Sequence, residues 1–357
     1  TTPHSHCGDG SSILPRSTIY SMEKFEPKPK IVGAAPEKTK ESVKERFRRY
    51  FYEDHLVDIS EEARKELESL EYEKTPQEKE LIFAADNELN DLMEKLGVPS
   101  FDIPLKNIHI LPPELYKKSN KIAGNYSAIT HYQERAILLN AKVFKSDPVY
   151  FGSIIFHEMF HLKGHFALEV EKTGEKDMET VSPFRAGLAV FSANKKDKEN
   201  KGHEHFRGLE EAVTTEMEKR YFKKLIEHPI LKEKKKQSES GEAKELKEEI
   251  SQKADIPIDE IISFNDEFYA NFSYFWQRKV LNLLVSKIYE NNKDKFASPD
   301  EVLLDVFAKA HFTGRLLPMA RLIKESFDKT TFEILGMMAD DDESAIKTLE
   351  FLQRRIK

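Results

Sequence analysis

The chain of 357 residues, 39% hydrophobic and 33% charged, carries enough apolar material for two domains or one large domain with extensions, in a polar, soluble composition. A formal net charge of −7 argues against a nucleic-acid binder held by phosphate contacts, and no apolar run approaches the roughly 18 residues of a membrane span. The single cysteine, Cys7, excludes an intramolecular disulfide and cysteine-ligated zinc; with no signal-like segment, a cytoplasmic location is expected.

Residues 1–40 are rich in Thr, Ser, Gly, Pro and Lys and read as a disordered tail, in which His4 and His6 are not a metal site. N-terminal helices are predicted over 41–100. Phe47, Tyr50 and Phe51 make one apolar stripe, and Ser60 caps a helix bearing Leu67 and Leu70. Thr75-Pro76-Gln77-Glu78 is a capping box, and Gly97 closes its helix, whose buried face is Leu81, Ala85, Leu89, Leu92 and Leu96. The period then changes to that of strands at 107–111, 124–133 and 136–144.

From Asp147, a capping residue followed by Pro at the first helical position, the sequence is apolar nearly all round, so a buried helix is predicted. Inside it stands His157-Glu158-x-x-His161. Histidines four apart share one helix face and can bind one zinc ion, and Glu158 beside them can take a proton from metal-bound water. Three such polar groups are costly on so apolar a helix unless they have a role. The stretch 171–206 reads as a polar insertion on a cleft rim with a short ordered piece from Phe184 to Phe191, 206–228 as a second helix, and 232–254 as a solvated helix or linker. Helices are predicted over 266–290, from the capping box at Ser298 to about His311, and over 316–327, 330–338 and 342–354, within a C-terminal helical subdomain at 255–357.

Catalytic zinc usually takes three protein ligands. His165 lies eight residues beyond His157, about 12 Å along a helix axis, too far unless the helix breaks at Gly164. Ala167 stands where a metzincin has His, which argues against that class. His203 and His205 fall in a polar loop with no familiar spacing. Glu210 and Glu211 remain, on the second helix about 50 residues past His161.

Leu209-Glu210-Glu211-Ala212-Val213-Thr214 resembles the glutamate-bearing helix of the gluzincins, zinc metallopeptidases whose ligand is the Glu before the small residue. The resemblance covers residues 105–228 well and the C-terminal part loosely. It implies an α+β, mostly helical zincin-like fold, with a small mixed sheet packed on the metal helix and a catalytic core at 101–231. It implies one zinc ion held by His157, His161 and Glu211, and peptide-bond hydrolysis by water activated by Glu158, as an endopeptidase rather than an exopeptidase. A peptide substrate would pair with an edge strand, for which 124–133 is the candidate. Gluzincins also use a downstream Tyr or His to stabilise the oxyanion, here Tyr269, Tyr274 or His311, with Arg315 as a further donor. One departure stands out: the acid that orients a ligating His is replaced by Thr215, leaving Glu216 or a backbone carbonyl for that task. A silent zincin that binds metal or peptide, and a helical scaffold or regulator, are the alternatives from other classes.

Overall fold

The computed structural model of the chain describes residues 27–53, 61–119, 127–144, 147–172, 179–192, 203–264 and 269–356. His4, His6 and Cys7 lie outside the described residues. Strand β1 (Lys30–Val32) and the first turn of helix α1 (Glu37–Tyr52) occupy what reads by composition as tail, and the rest of α1 falls where a helix is expected. The reason is apolar spacing: Val43 and Phe47 of α1 join Ala35 and Ile31 in a satellite core, and Phe51 enters the main one. The expected helix bearing Leu70 is α2 (Glu61–Leu70), in which Leu70 is exposed; Ser60 and the Leu67 side chain lie outside the described ones. Helix α3 (Pro76–Lys95) starts at the expected capping box, with Glu78 N donating to Thr75 Oγ1 at 3.2 Å and Thr75 N donating to Glu78 Oε2 at 2.6 Å. Gly97 turns the chain left-handed at φ +69°.

Strands β2 (Ile108–Leu111), β3 (Ala128–His131) and β4 (Ala136–Asn140) form a sheet in the order β2-β4-β3, with β2 parallel and β3 antiparallel to β4. Helix α4 (Pro113–Ser119) connects onward from β2. Strand β3 is thus an edge within the expected stretch 124–133, of which 124–126 lie outside the described residues. The third strand is shorter than predicted: Asn140 Oδ1 accepts from Lys142 N at 3.1 Å, and α5 (Ala141–Phe144) takes over.

Helix α6 (Pro148–Lys163) bears the two histidines. Asp147 Oδ1 accepts from Val149 N and Tyr150 N at 2.8 and 3.1 Å, as its N-cap role requires. From Val149 to Lys163 only Ile154 is not fully buried, because the helix packs against β3 and β4, α3, and the second long helix α7 (Arg207–Leu225). At its far end Lys163 Nζ reaches Asp86 Oδ1 at 2.8 Å, and Arg135 Nη2 donates to Leu162 O at 2.5 Å; these cations occupy the negative end of the helix dipole.

The described residues of 171–206 are largely sheet, contrary to the reading of most of this stretch as an insertion on the cleft rim. Strands β5 (Phe166–Lys172), β6 (Glu179–Ala186), β7 (Ala189–Ser192) and β8 (His203–His205) follow β1 in the order β1-β5-β6-β7-β8. Phe166, Leu168 and Val170 alternate into the satellite core while Glu169 and Glu171 face outward, so a one-faced sheet is concealed by its charge. Pro183 sits opposite Leu168 where the register shifts, a place that tolerates its missing N–H. Residues 173–178 and 193–202 lie outside the described ones.

The charged run is two helices, α8 (Lys232–Ser238) and α9 (Gly241–Ala254), with no buried residue, the solvated-helix alternative. A hairpin of β9 (Ile261–Phe264) and β10 (Tyr269–Asn271) replaces the start of the helix predicted over 266–290, and Phe268 lies outside the described residues. Helix α10 (Phe275–Asn291) begins only after Tyr274, whose left-handed backbone at φ +57° cannot belong to an α-helix. Helix α11 (Pro299–Val302), a π-helical stretch Leu303–Ala308, and α12 (Lys309–Thr313) run to Gly314. Helices α13 (Leu316–Ser326), α14 (Lys329–Met337) and α15 (Asp342–Arg355) complete an α+β chain whose largest core draws on residues from Phe51 to Leu352. Among the described residues no helix is long and apolar enough to cross a membrane.

Candidate metal centre

One turn of α6 sets His157 above His161, and α7 crosses beside them with Glu211. Glu211 Oε2 lies 3.5 Å from His157 Nε2 and 3.2 Å from His161 Nε2, and ligand atoms of all three residues fall within 4.8 Å of one another. A tetrahedral ion with bonds near 2.1 Å separates its ligand atoms by about 3.4 Å, so this donor set fits one. The residues are nearly closed from solvent yet line a cleft of about 920 Å³. The cluster can hold a metal ion.

Both imidazoles are held from behind. His157 Nδ1 faces Glu218 Oε2 at 2.9 Å, and Glu218 Oε1 accepts from Ser153 Oγ at 2.6 Å. His161 Nδ1 faces Glu210 Oε1 at 3.2 Å. These carboxylates favour protons on Nδ1 and leave Nε2 directed at the shared point. The task expected of Glu216 therefore falls to Glu218, two helical turns beyond Glu211 and on its face. Glu216 points elsewhere, its Oε1 accepting from Arg278 Nη1 at 3.3 Å, and the hydroxyl of fully buried Thr215 has no hydrogen-bond partner among the described residues.

Burial works against the charged form of His157, but hydrogen bonds to Glu211 and Glu218 overcome it and raise its pKa well above the ordinary value. His161 is likewise lowered by burial and raised more strongly by the Glu211 charge and the Glu210 bond, to about 9. Burial raises and the Arg207 charge lowers the Glu211 carboxyl, which ends well below the usual carboxylate range. Arg207 Nη2 is 2.8 Å from Glu211 Oε1, one helical turn away.

Glu158, next to His157, lines the same cleft. Its Oε2 accepts from Thr130 Oγ1 at 2.7 Å, which ties its orientation to the edge strand β3. Ser127 to Glu134 form one wall of the cleft. Tyr274 stands on another, its ring stacked 6.4 Å from that of His157. The Glu211 charge and burial raise the Tyr274 pKa, so its hydroxyl stays protonated.

The other expected donors lie elsewhere. His311 does not face the cleft: it is fully buried behind α6, between Glu210 and Phe160 O. Tyr269 is exposed on β10, and Arg315 borders a separate pocket. The helix does break at Gly164; His165 follows it, outside the ligand cluster, and burial lowers its pKa to about 4. His203 and His205 belong to strand β8 rather than a loop, and the His203 side chain lies outside the described ones. Glu210, weighed against Glu211 as a ligand, orients His161 instead. Glu218 and Arg207 were detectable in principle, at seven residues after and four before Glu211 on one helix face.

Comparison with protein-family models, with curated proteins and with solved structures finds no match to this chain.

Proposed function

We propose that the chain is a zinc metallopeptidase of zincin-like fold that hydrolyses peptide bonds. The observation that carries this reading is the convergence of His157 Nε2, His161 Nε2 and Glu211 Oε2 on one point beside Glu158. Two imidazoles and one carboxylate at an accessible site make up a donor set of catalytic zinc. When bound, zinc supplies Lewis acidity: it polarises a carbonyl and acidifies water.

The protein's own groups account for the remaining steps. An extended peptide pairs with the free edge of β3, which has no second strand neighbour among the described residues. That pairing brings a scissile carbonyl over α6. Glu158 takes a proton from the attacking water and delivers it to the leaving amine nitrogen as the C–N bond breaks. Thr130, on the strand that receives the peptide, keeps the Glu158 carboxylate in place. Tyr274, protonated and lining the same cleft, donates to the carbonyl oxygen as it gains charge.

The test is Glu158→Gln. Metal content is expected to stay at the wild-type level while cleavage of a mixed peptide library, read by mass spectrometry, disappears. Metal-loaded wild-type protein that cleaves no more than Glu158→Gln would overturn the peptidase reading and favour a silent zincin.

A further inference from the structure

We infer that His311 is a positioning residue for the metal site: acting through Glu210, it fixes the ring of His161 and so sets metal affinity from the C-terminal helices. This rests on the metal-site reading above. His311 sits on α12, 150 residues from His161 in sequence. Its Nδ1 lies 2.9 Å from Glu210 Oε1 and 3.1 Å from Oε2, and its Nε2 lies 2.9 Å from Phe160 O, the carbonyl just before His161. Both ring nitrogens face acceptors, so the ring is held from two sides, by the Glu210 carboxylate and by the backbone of α6. Glu210 in turn accepts from Leu188 N at 2.7 Å and faces His161 Nδ1 at 3.2 Å. The His161 ring and its own helix are thus gripped by one residue from outside the core motif.

Packing around the pair shows that the arrangement is built rather than incidental. A Cβ on Gly187 would lie 2.5 Å from His311 Nδ1 and equally close to the Glu210 carboxylate. A Cβ on Gly164 would lie 2.7 Å from His311 Nε2. Two glycines, one after α6 and one in the β6–β7 turn, clear the space that ring and carboxylate fill. Gly187 also takes φ +56°, which side-chain-bearing residues rarely adopt. The π-helical stretch Leu303–Ala308 directly precedes α12, and its extra residue per turn rotates the face on which His311 emerges. The backbone joins the same lock: His165 N donates to His311 O at 2.9 Å.

The experiment measures zinc affinity by competition with a chromophoric chelator, well below the melting temperature, for wild type, His311→Phe, His311→Gln, Glu210→Gln and the His311→Phe/Glu210→Gln double variant. Cobalt absorption spectra of the same proteins report ligand geometry. His311→Phe and Glu210→Gln are each expected to weaken zinc roughly 10–100-fold. The double variant is expected to be no weaker than the worse single one, because both changes break one chain of contacts. His311→Gln, which keeps a donor toward Glu210, is expected to fall between, and its cobalt spectrum to shift less than that of His311→Phe. Leu335→Ala, in the fully buried core of α14, serves as a variant that loses stability without touching the relay, and its affinity is expected to be unchanged. Wild-type affinity in His311→Phe, or an equal loss in Leu335→Ala, would overturn the relay and leave the metal site standing. A wild-type protein that binds no zinc would overturn both.

Discussion

Removing the Glu218 carboxylate tests how the proposed metal ligands are held. In the structure this one group, almost fully buried, meets both His157 Nδ1 at 2.9 Å and Ser153 Oγ at 2.6 Å. Glu218→Ala leaves two buried donors without partners and lets the His157 ring turn away from the point it shares with His161 and Glu211. Loss of such an outer partner lowers metal affinity by roughly 10–100-fold, equivalent to about 1.4–2.7 kcal/mol. Each orphaned buried group adds about 1–3 kcal/mol of destabilisation to the folded protein. Chelator competition gives the first quantity and urea unfolding of the metal-free protein the second. The comparison is Glu216→Ala, whose carboxylate pairs with Arg278 and Asn282 away from the histidines; it is expected to bind zinc as wild type does. Equal affinities for Glu218→Ala and wild type, or an equal loss in Glu216→Ala, would refute the assignment.

Three further outcomes follow from other parts of the molecule. Tyr274→Phe is expected to lower kcat about 10²–10³-fold with metal content unchanged, as measured in steady-state peptide hydrolysis, if its hydroxyl meets the developing oxyanion. Lys163→Ala strands the carboxylate of Asp86, which lies 2.8 Å from the lysine Nζ in the buried α3–α6 contact, and is expected to cost about 3–5 kcal/mol in denaturant unfolding. Burial, reinforced by the nearby Arg185, Lys30 and His311 charges, depresses His165 to about 4 from 6.5. The unfolded chain therefore binds a proton there that the folded chain refuses, and stability falls as pH drops from about 6.5 to 4. His165→Gln is expected to flatten that slope by something on the order of 1–3 kcal/mol across the window, since the ring is only half-buried.

What could be read in advance divides along the line between local and long-range chemistry. The His157–Glu158–His161 helix is legible because its cap, its period and its ligands all lie within one short stretch. Glu211 is legible because the residues around it form a recognisable pattern. Glu218 is equally local, yet the expected position four residues after the ligand directs attention to Thr215 and Glu216 rather than a turn further. The partnership of Glu210 with His311 has no local signal: it depends on Gly164, on Gly187 in the β6–β7 turn and on a π-helical stretch, which lie far apart in the chain. The five-stranded sheet is obscured for a different reason. Its strands are short, charged on one face and interrupted by Pro183, so composition reads as loop where alternation of Phe166, Leu168 and Val170 reads as strand. Tyr274 shows the same limit in the backbone, since nothing in Ser273-Tyr274-Phe275 announces the left-handed turn that starts α10 late.

The metal centre itself is tested most directly by metal content. Protein purified without a metal-affinity tag is analysed by inductively coupled plasma mass spectrometry, with His161→Ala and Glu211→Ala in parallel. About one zinc per wild-type chain, lost in both variants, is the predicted result. No zinc in the wild type after reconstitution, zinc retained in Glu211→Ala, or iron in its place would contradict the account.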